Sequence, residues 1–249
     1  RVIAYARRGH GQSEAVGPFD TDTLVEDLRG VLDQMGVQQS HLLGWSMGGN
    51  EITAFATRYP ERTLKLVYLE AGYDWSDPAF WQALGICPVS LAPDEAALQN
   101  RDTFRAWART FWLPEIEWTQ GLEKHLEQVT RTRPDGTVQP VPGEAVSKDL
   151  LGGLSTGKRN YTGISSPALA LYSPVFFKTD GRDPELQQAM AEWDDRYMVP
   201  FREASKEKIR RELAGVEIQV IPDRTHGTIG VKEPEKLAAI ISSFLLKTE

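Results

Sequence analysis

Apolar residues follow two rhythms along this 249-residue chain, and the rhythms alternate. Residues 2–5, Val-Ile-Ala-Tyr, form a short apolar run that reads as a core strand. From 21 to 35, Leu24, Val25, Leu28, Val31, Leu32 and Met35 recur at three-and-four spacing. That is the period of a helix with one buried face, and Gly36 is a natural stop for it. Residues 40–43 read as a short buried strand, 50–59 as a helix and 64–69 as another buried strand. The regular alternation returns at 167–172 with a strand. Two helices fill 184–213, a last strand covers 216–221, and a closing helix spans 234–246. On that helix Leu237, Ile240, Ile241, Phe244 and Leu245 share a face. Alternating strands and helices predict an α/β fold with a mostly parallel, doubly wound sheet.

Residues 75–163 break the alternation. They hold five of the seven tryptophans, Trp75, Trp81, Trp107, Trp112 and Trp118, and read as mostly helical with a polar loop near 131–140. They are expected to form a helical cap inserted into a core made of residues 1–74 and 164–249. Its tryptophans either pack the cap's own interior or line an apolar acyl or aryl pocket, and the sequence leaves both open.

Composition narrows the function classes. The chain is 41% hydrophobic and 25% charged, an ordinary globular profile, with a net charge of −7. No basic stripe suggests nucleic acid or an anionic membrane surface as a partner. No apolar run reaches the roughly 18 residues of a transmembrane helix. Cys87 is the lone cysteine, so no intrachain disulfide can form, which says little about compartment; a cytoplasmic location is the default expectation. With four scattered histidines and one cysteine, neither a zinc site nor another cofactor is expected. The chain begins at Arg1, so a leader peptide cannot be judged.

The chemistry concentrates in Gly44-Trp45-Ser46-Met47-Gly48, followed by Gly49. This G-x-S-x-G run stands between a predicted strand and a predicted helix, the context of a nucleophile elbow. There the serine sits on a cramped turn where neighbouring Cβ atoms would collide. Ser46 is the candidate nucleophile, and the backbone N–H of Met47 is a candidate oxyanion donor. Ligands in such sheets bind where strands end at their carboxyl termini. Segments 7–13, 44–48 and 70–72 all follow strands and should converge on one rim. Among the histidines, His41 lies on the wrong rim, His125 in the insertion, and His10 in a turn ahead of the nucleophile. His226 alone follows the last strand on the serine's rim, where it can take the serine proton and return it to a leaving group. Gly152 to Lys158 fits a partial phosphate loop, but Arg159 stands where Ser or Thr is needed, so a flexible cap loop is the expectation.

These motifs resemble the α/β-hydrolase fold family. The resemblance rests on the elbow, on the turn Arg8-Gly9-His10-Gly11-Gln12-Ser13, and on Asp223-Arg224-Thr225-His226-Gly227 after the last strand. Within the family the chain is most similar to capped serine esterases related to pimeloyl-type methyl ester carboxylesterases. The resemblance implies an acid between nucleophile and histidine. Most members carry it after the strand that follows the cap, where this chain reads Ser173-Pro174-Val175-Phe176-Phe177-Lys178 with no carboxylate. Some carry it at the end of the strand after the elbow helix, where Glu70 stands. Glu70 is the leading candidate, with Asp180 and Asp74 as alternatives. Asp183, directly ahead of Pro184, reads instead as a helix N-cap. Ala6 replaces an aspartate that often precedes the Arg-Gly turn.

The second oxyanion donor implied by the family belongs to a His-Gly loop after an earlier strand. The first strands of the fold, with that loop and one helix, are expected to be missing from this sequence, and His10-Gly11 is only a tempting substitute. The sheet edge they would cover invites a homo-oligomer or a segment supplied from elsewhere. The implied activity is hydrolysis of a small, apolar carboxylic ester through an acyl-enzyme. Carbon–carbon bond hydrolysis or perhydrolysis by the same residues, and an inactive binding scaffold, are the rival expectations.

Overall fold

A computed structural model describes residues 1–247. In chain order the elements are α1 (Thr21–Gln34), β1 (Ser40–Trp45), α2 (Gly48–Arg58), β2 (Thr63–Leu69), α3 (Pro78–Gly85), α4 (Arg101–Phe111), α5 (Gln120–Val129), β3 (Thr130–Thr132), β4 (Val138–Pro140), α6 (Glu144–Thr156), β5 (Ala168–Tyr172), α7 (Pro184–Trp193), α8 (Val199–Glu212), β6 (Glu217–Val220) and α9 (Pro234–Leu245). Strands β1, β2, β5 and β6 form one parallel sheet in that spatial order.

Periodicity explains the layers. On β2 and β5 nearly every residue is buried, yet successive side chains still point to opposite faces. Leu66, Tyr68, Ala168, Ala170 and Tyr172 join the cluster built with Val25, Leu28 and Leu32 of α1, Ile52 and Phe55 of α2 and Ile209 of α8. Val67, Leu69, Leu169 and Leu171 face Leu237 and Phe244 of α9. Helices therefore cover both faces, as the alternation of apolar runs predicts. On β1 only Leu42 and Gly44 are buried. Leu43 is 50% exposed and Trp45 46%, so this strand is half-buried and not the fully buried one expected.

The register brings the strand ends level. Trp45 pairs with Leu69, Leu69 with Leu171, and Tyr172 with Val220. The residues that follow all emerge on one rim.

Three further readings are corrected. Residues 2–5 are irregular, with Val2 94% exposed. A strand exists only when its N–H and C=O groups find a ladder, and β1 pairs with β2 alone among the described residues. The polar loop near 131–140 is a hairpin, β3 against β4. Gly152 to Thr156 form the last turns of α6, so this stretch is helix and not a flexible loop. The two helices expected over 184–213 are present as α7 and α8, joined by a π-helical turn, Asp194–Met198. Pro200 follows that turn. A proline lacks an N–H and its ring crowds the carbonyl one turn back, and a widened turn accommodates both.

Candidate active site

The elbow forms because two glycines let backbones touch. A Cβ on Gly44 would strike the carbonyl oxygen of Gly48, and one on Gly49 would strike that of Ala71. Between them Ser46 takes φ 52°, a left-handed conformation a non-glycine residue adopts at a cost of about 1–3 kcal/mol. Its N–H still bonds Leu69 O at 3.2 Å, extending the β1–β2 ladder by one residue. Glu70, the first residue past β2, has the same conformation, φ 48°, and its N–H bonds Leu171 O at 2.8 Å. Two strained residues thus stand side by side at the ends of adjacent strands.

His226 lies between them. Its Nε2 is 2.9 Å from Ser46 Oγ, and its Nδ1 is 3.0 Å from Glu70 Oε2. Both Glu70 and His226 are buried. The Glu70 carboxylate also accepts the Tyr73 hydroxyl on Oε2 at 2.9 Å and the Ser173 amide on Oε1. The histidine backbone is fixed from two sides. Its N–H donates to Phe176 O at 2.9 Å, and its carbonyl accepts the Trp45 indole N–H at 3.1 Å. Gly227 is needed next to it, because a Cβ there would strike Trp112 O. The Phe176 ring stacks on the imidazole at 4.3 Å, and the Phe177 and Trp75 rings meet it edge-on at 6.1 and 6.2 Å.

The alternative acids are engaged elsewhere. Asp180 holds Arg182, whose hydrogen bond keeps its carboxyl below the usual range. Burial pushes the Asp74 carboxyl up, but hydrogen bonds from Lys208, Ser76 and the Arg159 amide outweigh it and hold it low. Asp183 caps α7 through the amides of Glu185 and Leu186. His41 stands at the opposite end of β1 from Ser46, and His125 lies on α5. The His10 amide donates to Arg7 O at 2.9 Å within its own turn, so it is not free for an oxyanion. Met47 is the N-cap of α2, directly after the serine.

Beside Met47, the buried Glu51 pairs with Arg7 at 2.5 Å, and burial pushes its carboxyl up. Of the five tryptophans in residues 75–163, Trp75 faces the imidazole and Trp112 packs on Phe177 at 5.1 Å. Trp118 packs with Phe104, Leu126 and Val138, while Trp107 bridges that cluster and the main core, meeting Phe111 edge-on at 5.9 Å. Among the described residues no three His, Cys, Asp or Glu side chains cluster to hold a metal, and no helix is long and apolar enough to cross a membrane.

Sequence reasoning missed Tyr73, Ser173 and Phe176. Ser173 and Phe176 lie in the loop after β5, on the same rim as Ser46. Tyr73 carried no signal beyond its place three residues after Glu70.

Known proteins share this fold. The family model described as alpha/beta hydrolase fold matches residues 1–136, more than half of the chain. The 2-hydroxy-6-oxononadienedioate/2-hydroxy-6-oxononatrienedioate hydrolase of Paraburkholderia phymatum is 42% identical over 74 residues, 29% of this chain and 26% of that protein. This chain thus spans about a quarter of that relative's length. A putative 2-succinyl-6-hydroxy-2,4-cyclohexadiene-1-carboxylate synthase of Bacillus subtilis is 27% identical over 252 aligned residues, 98% of this chain and 81% of that one. The crystal structure of E-2-(acetamidomethylene)succinate hydrolase superposes with a TM-score of 0.66 at 17% identity, covering 96% of this chain and 79% of that one. The chain belongs to the α/β-hydrolase fold family.

Proposed function

We propose that the chain is a cofactor-free serine hydrolase that cleaves small, apolar carboxylic esters through an acyl-enzyme. One observation carries the reading: an unbroken line of hydrogen bonds from Ser46 Oγ through both imidazole nitrogens to a buried carboxylate. A serine hydroxyl is a weak nucleophile until a base takes its proton as it attacks. His226 Nε2 takes that proton. The imidazolium then stands against Glu70, which fixes the ring with its proton on Nδ1 and offsets the new charge. The Met47 N–H holds the oxyanion as the tetrahedral intermediate forms. His226 returns the proton to the leaving alkoxide, and a water repeats the sequence to release the acid. The rings of Trp75, Phe176 and Phe177 around the imidazole favour an apolar substrate.

The test is Ser46→Ala assayed on short p-nitrophenyl esters, beside labelling of the unaltered protein with a fluorophosphonate. Abolished turnover and labelling at Ser46 are expected. Unchanged turnover in Ser46→Ala refutes the reading, and a folded protein that does not label supports a binding scaffold in its place.

A second reading, carbon–carbon bond hydrolysis by the same residues, draws on the 42% identity to a relative named as a hydrolase of an oxo-dienedioate. Assays of diketone cleavage and peroxide-dependent oxidation beside ester hydrolysis separate these uses.

A further inference from the structure

Three donors converge on the Glu70 carboxylate, and His226 is only one of them. The Tyr73 hydroxyl donates to Oε2 at 2.9 Å, the same oxygen that faces His226 Nδ1 at 3.0 Å, while the Ser173 amide occupies Oε1. Tyr73 has little freedom to do otherwise. It is fully buried, its ring stacked on Phe201 at 5.4 Å and met by Tyr172 at 5.3 Å and Phe176 at 5.9 Å. Burial, and then the adjacent Glu70 charge, push the phenol far above its ordinary value, so it remains a proton donor.

The other titratable groups around this cluster are engaged. Arg202 of α8 bonds Asp194 and the Pro174 carbonyl. Tyr172 of β5 donates to Gly72 O, with Lys206 of α8 over its ring. Ser46 faces the far nitrogen of the imidazole. Among the described residues, the groups that contact the Glu70 carboxylate are thus two neutral donors and the histidine.

We propose that Tyr73 is a positioning residue of this site: its hydroxyl pins Glu70 Oε2 and draws off part of the charge that oxygen presents to His226. The inference rests on the reading of Ser46, His226 and Glu70 as the reacting relay. A base in a two-step acyl transfer must accept a proton and then release it. A carboxylate held by Ser173 alone would grip the imidazolium harder and retain the proton to higher pH. With Tyr73 in place the oxygen is fixed in line with Nδ1 and is a milder acceptor.

Tyr73→Phe in the full chain keeps the ring and removes the donor. The acid limb of kcat/KM against pH should move upward by about half to one unit. At a fixed pH well down that acid limb kcat/KM should fall about three- to tenfold, carried by kcat with KM nearly constant. The His226 Nδ1 proton resonance should move downfield, a readout that does not depend on turnover. Tyr73→3-fluorotyrosine, a stronger donor of similar shape, should move limb and resonance the opposite way, and it decides the matter alone if Tyr73→Phe does not fold. Superimposable pH profiles and an unmoved resonance would overturn the inference. Ser46→Ala runs beside them: if it keeps turnover, the ester-hydrolysis reading falls, while the Nδ1 resonance still reports on the hold of Tyr73.

Discussion

Glutamine at position 70 changes one atom and almost no volume, and it cannot satisfy the site in either orientation. The carboxylate uses both oxygens as acceptors, Oε1 for the Ser173 amide and Oε2 for Tyr73 and His226. A carboxamide offers one acceptor. With the amide nitrogen on the Oε2 side it donates to His226 Nδ1, and the ring must carry its proton on Nε2. That nitrogen, 2.9 Å from Ser46 Oγ, then has no lone pair for the serine proton. Such a tautomer switch costs a serine hydrolase about 10⁴ in kcat. With the amide nitrogen on the other side, it opposes the Ser173 N–H. Two buried donors then face each other at about 1–3 kcal/mol, and the imidazolium has lost its counter-charge. Opposite charges centred about 4 Å apart attract by about 4 kcal/mol at an effective dielectric near 20, or about 10³-fold in rate.

Both routes therefore predict that Glu70→Gln lowers kcat by about 10³ to 10⁴ with little change in KM. The assay is p-nitrophenyl ester turnover at fixed pH, with melting curves to establish that the variant is folded. Asp180→Asn is the control. Asp180 engages Arg182 and not His226, so its rate should stay within about twofold of the unaltered chain. A folded Glu70→Gln that keeps a tenth of the activity, or an Asp180→Asn that loses 10³, would refute the reasoning.

Two further outcomes concern the frame around the site. Asp194 and Arg202 are both buried, bonded at 2.9 and 3.0 Å, so Arg202→Met alone should cost about 3–5 kcal/mol in denaturant unfolding. Adding Asp194→Leu should recover part of that, and equal losses in the single and double variants would contradict the argument. Gly49→Ala drives a methyl into Ala71 O and should force α2 off the end of β2. A loss of about 1–3 kcal/mol with a slower reaction is expected, and an unchanged melting temperature would show that the elbow tolerates the bulk.

What the sequence made legible was local. The elbow could be read because glycine is required at fixed offsets from Ser46. Strands β2 and β5 could be read because a strand covered on both faces is a continuous apolar run. The hairpin β3–β4 was also within reach: Asp135-Gly136 sits at its turn, with Gly136 at φ 88°, a signal outweighed by the polarity around it. Residues 2–5 carry an apolar run without a ladder to join, and periodicity does not report the ladder. Nothing local distinguishes Tyr73 from other core aromatics, since its meaning lies in the oxygen it meets. The same holds for the π-helical turn that brings Asp194 under the loop after β5.

That loop explains how the proposed acid can stand at Glu70. Its backbone is already committed: the Ser173 N–H goes to Glu70, and the Phe176 carbonyl takes the His226 N–H. The Phe176 ring lies on the imidazole. Asp194 holds the Phe176 N–H at 3.0 Å while Arg202 neutralises that carboxylate and grips Pro174 O. The loop therefore meets Glu70 and His226 with donors, an acceptor and an aromatic face. A carboxylate on it, aimed at His226 Nδ1, would stand against Glu70 Oε2, and two like charges sharing one buried site raise the pKa of one of them. Glu70 needs its left-handed backbone to aim at His226 from the end of β2, and the Ser173 amide helps to hold that carboxylate. The strain at Glu70 and the absence of a carboxylate after β5 are thus two consequences of one arrangement.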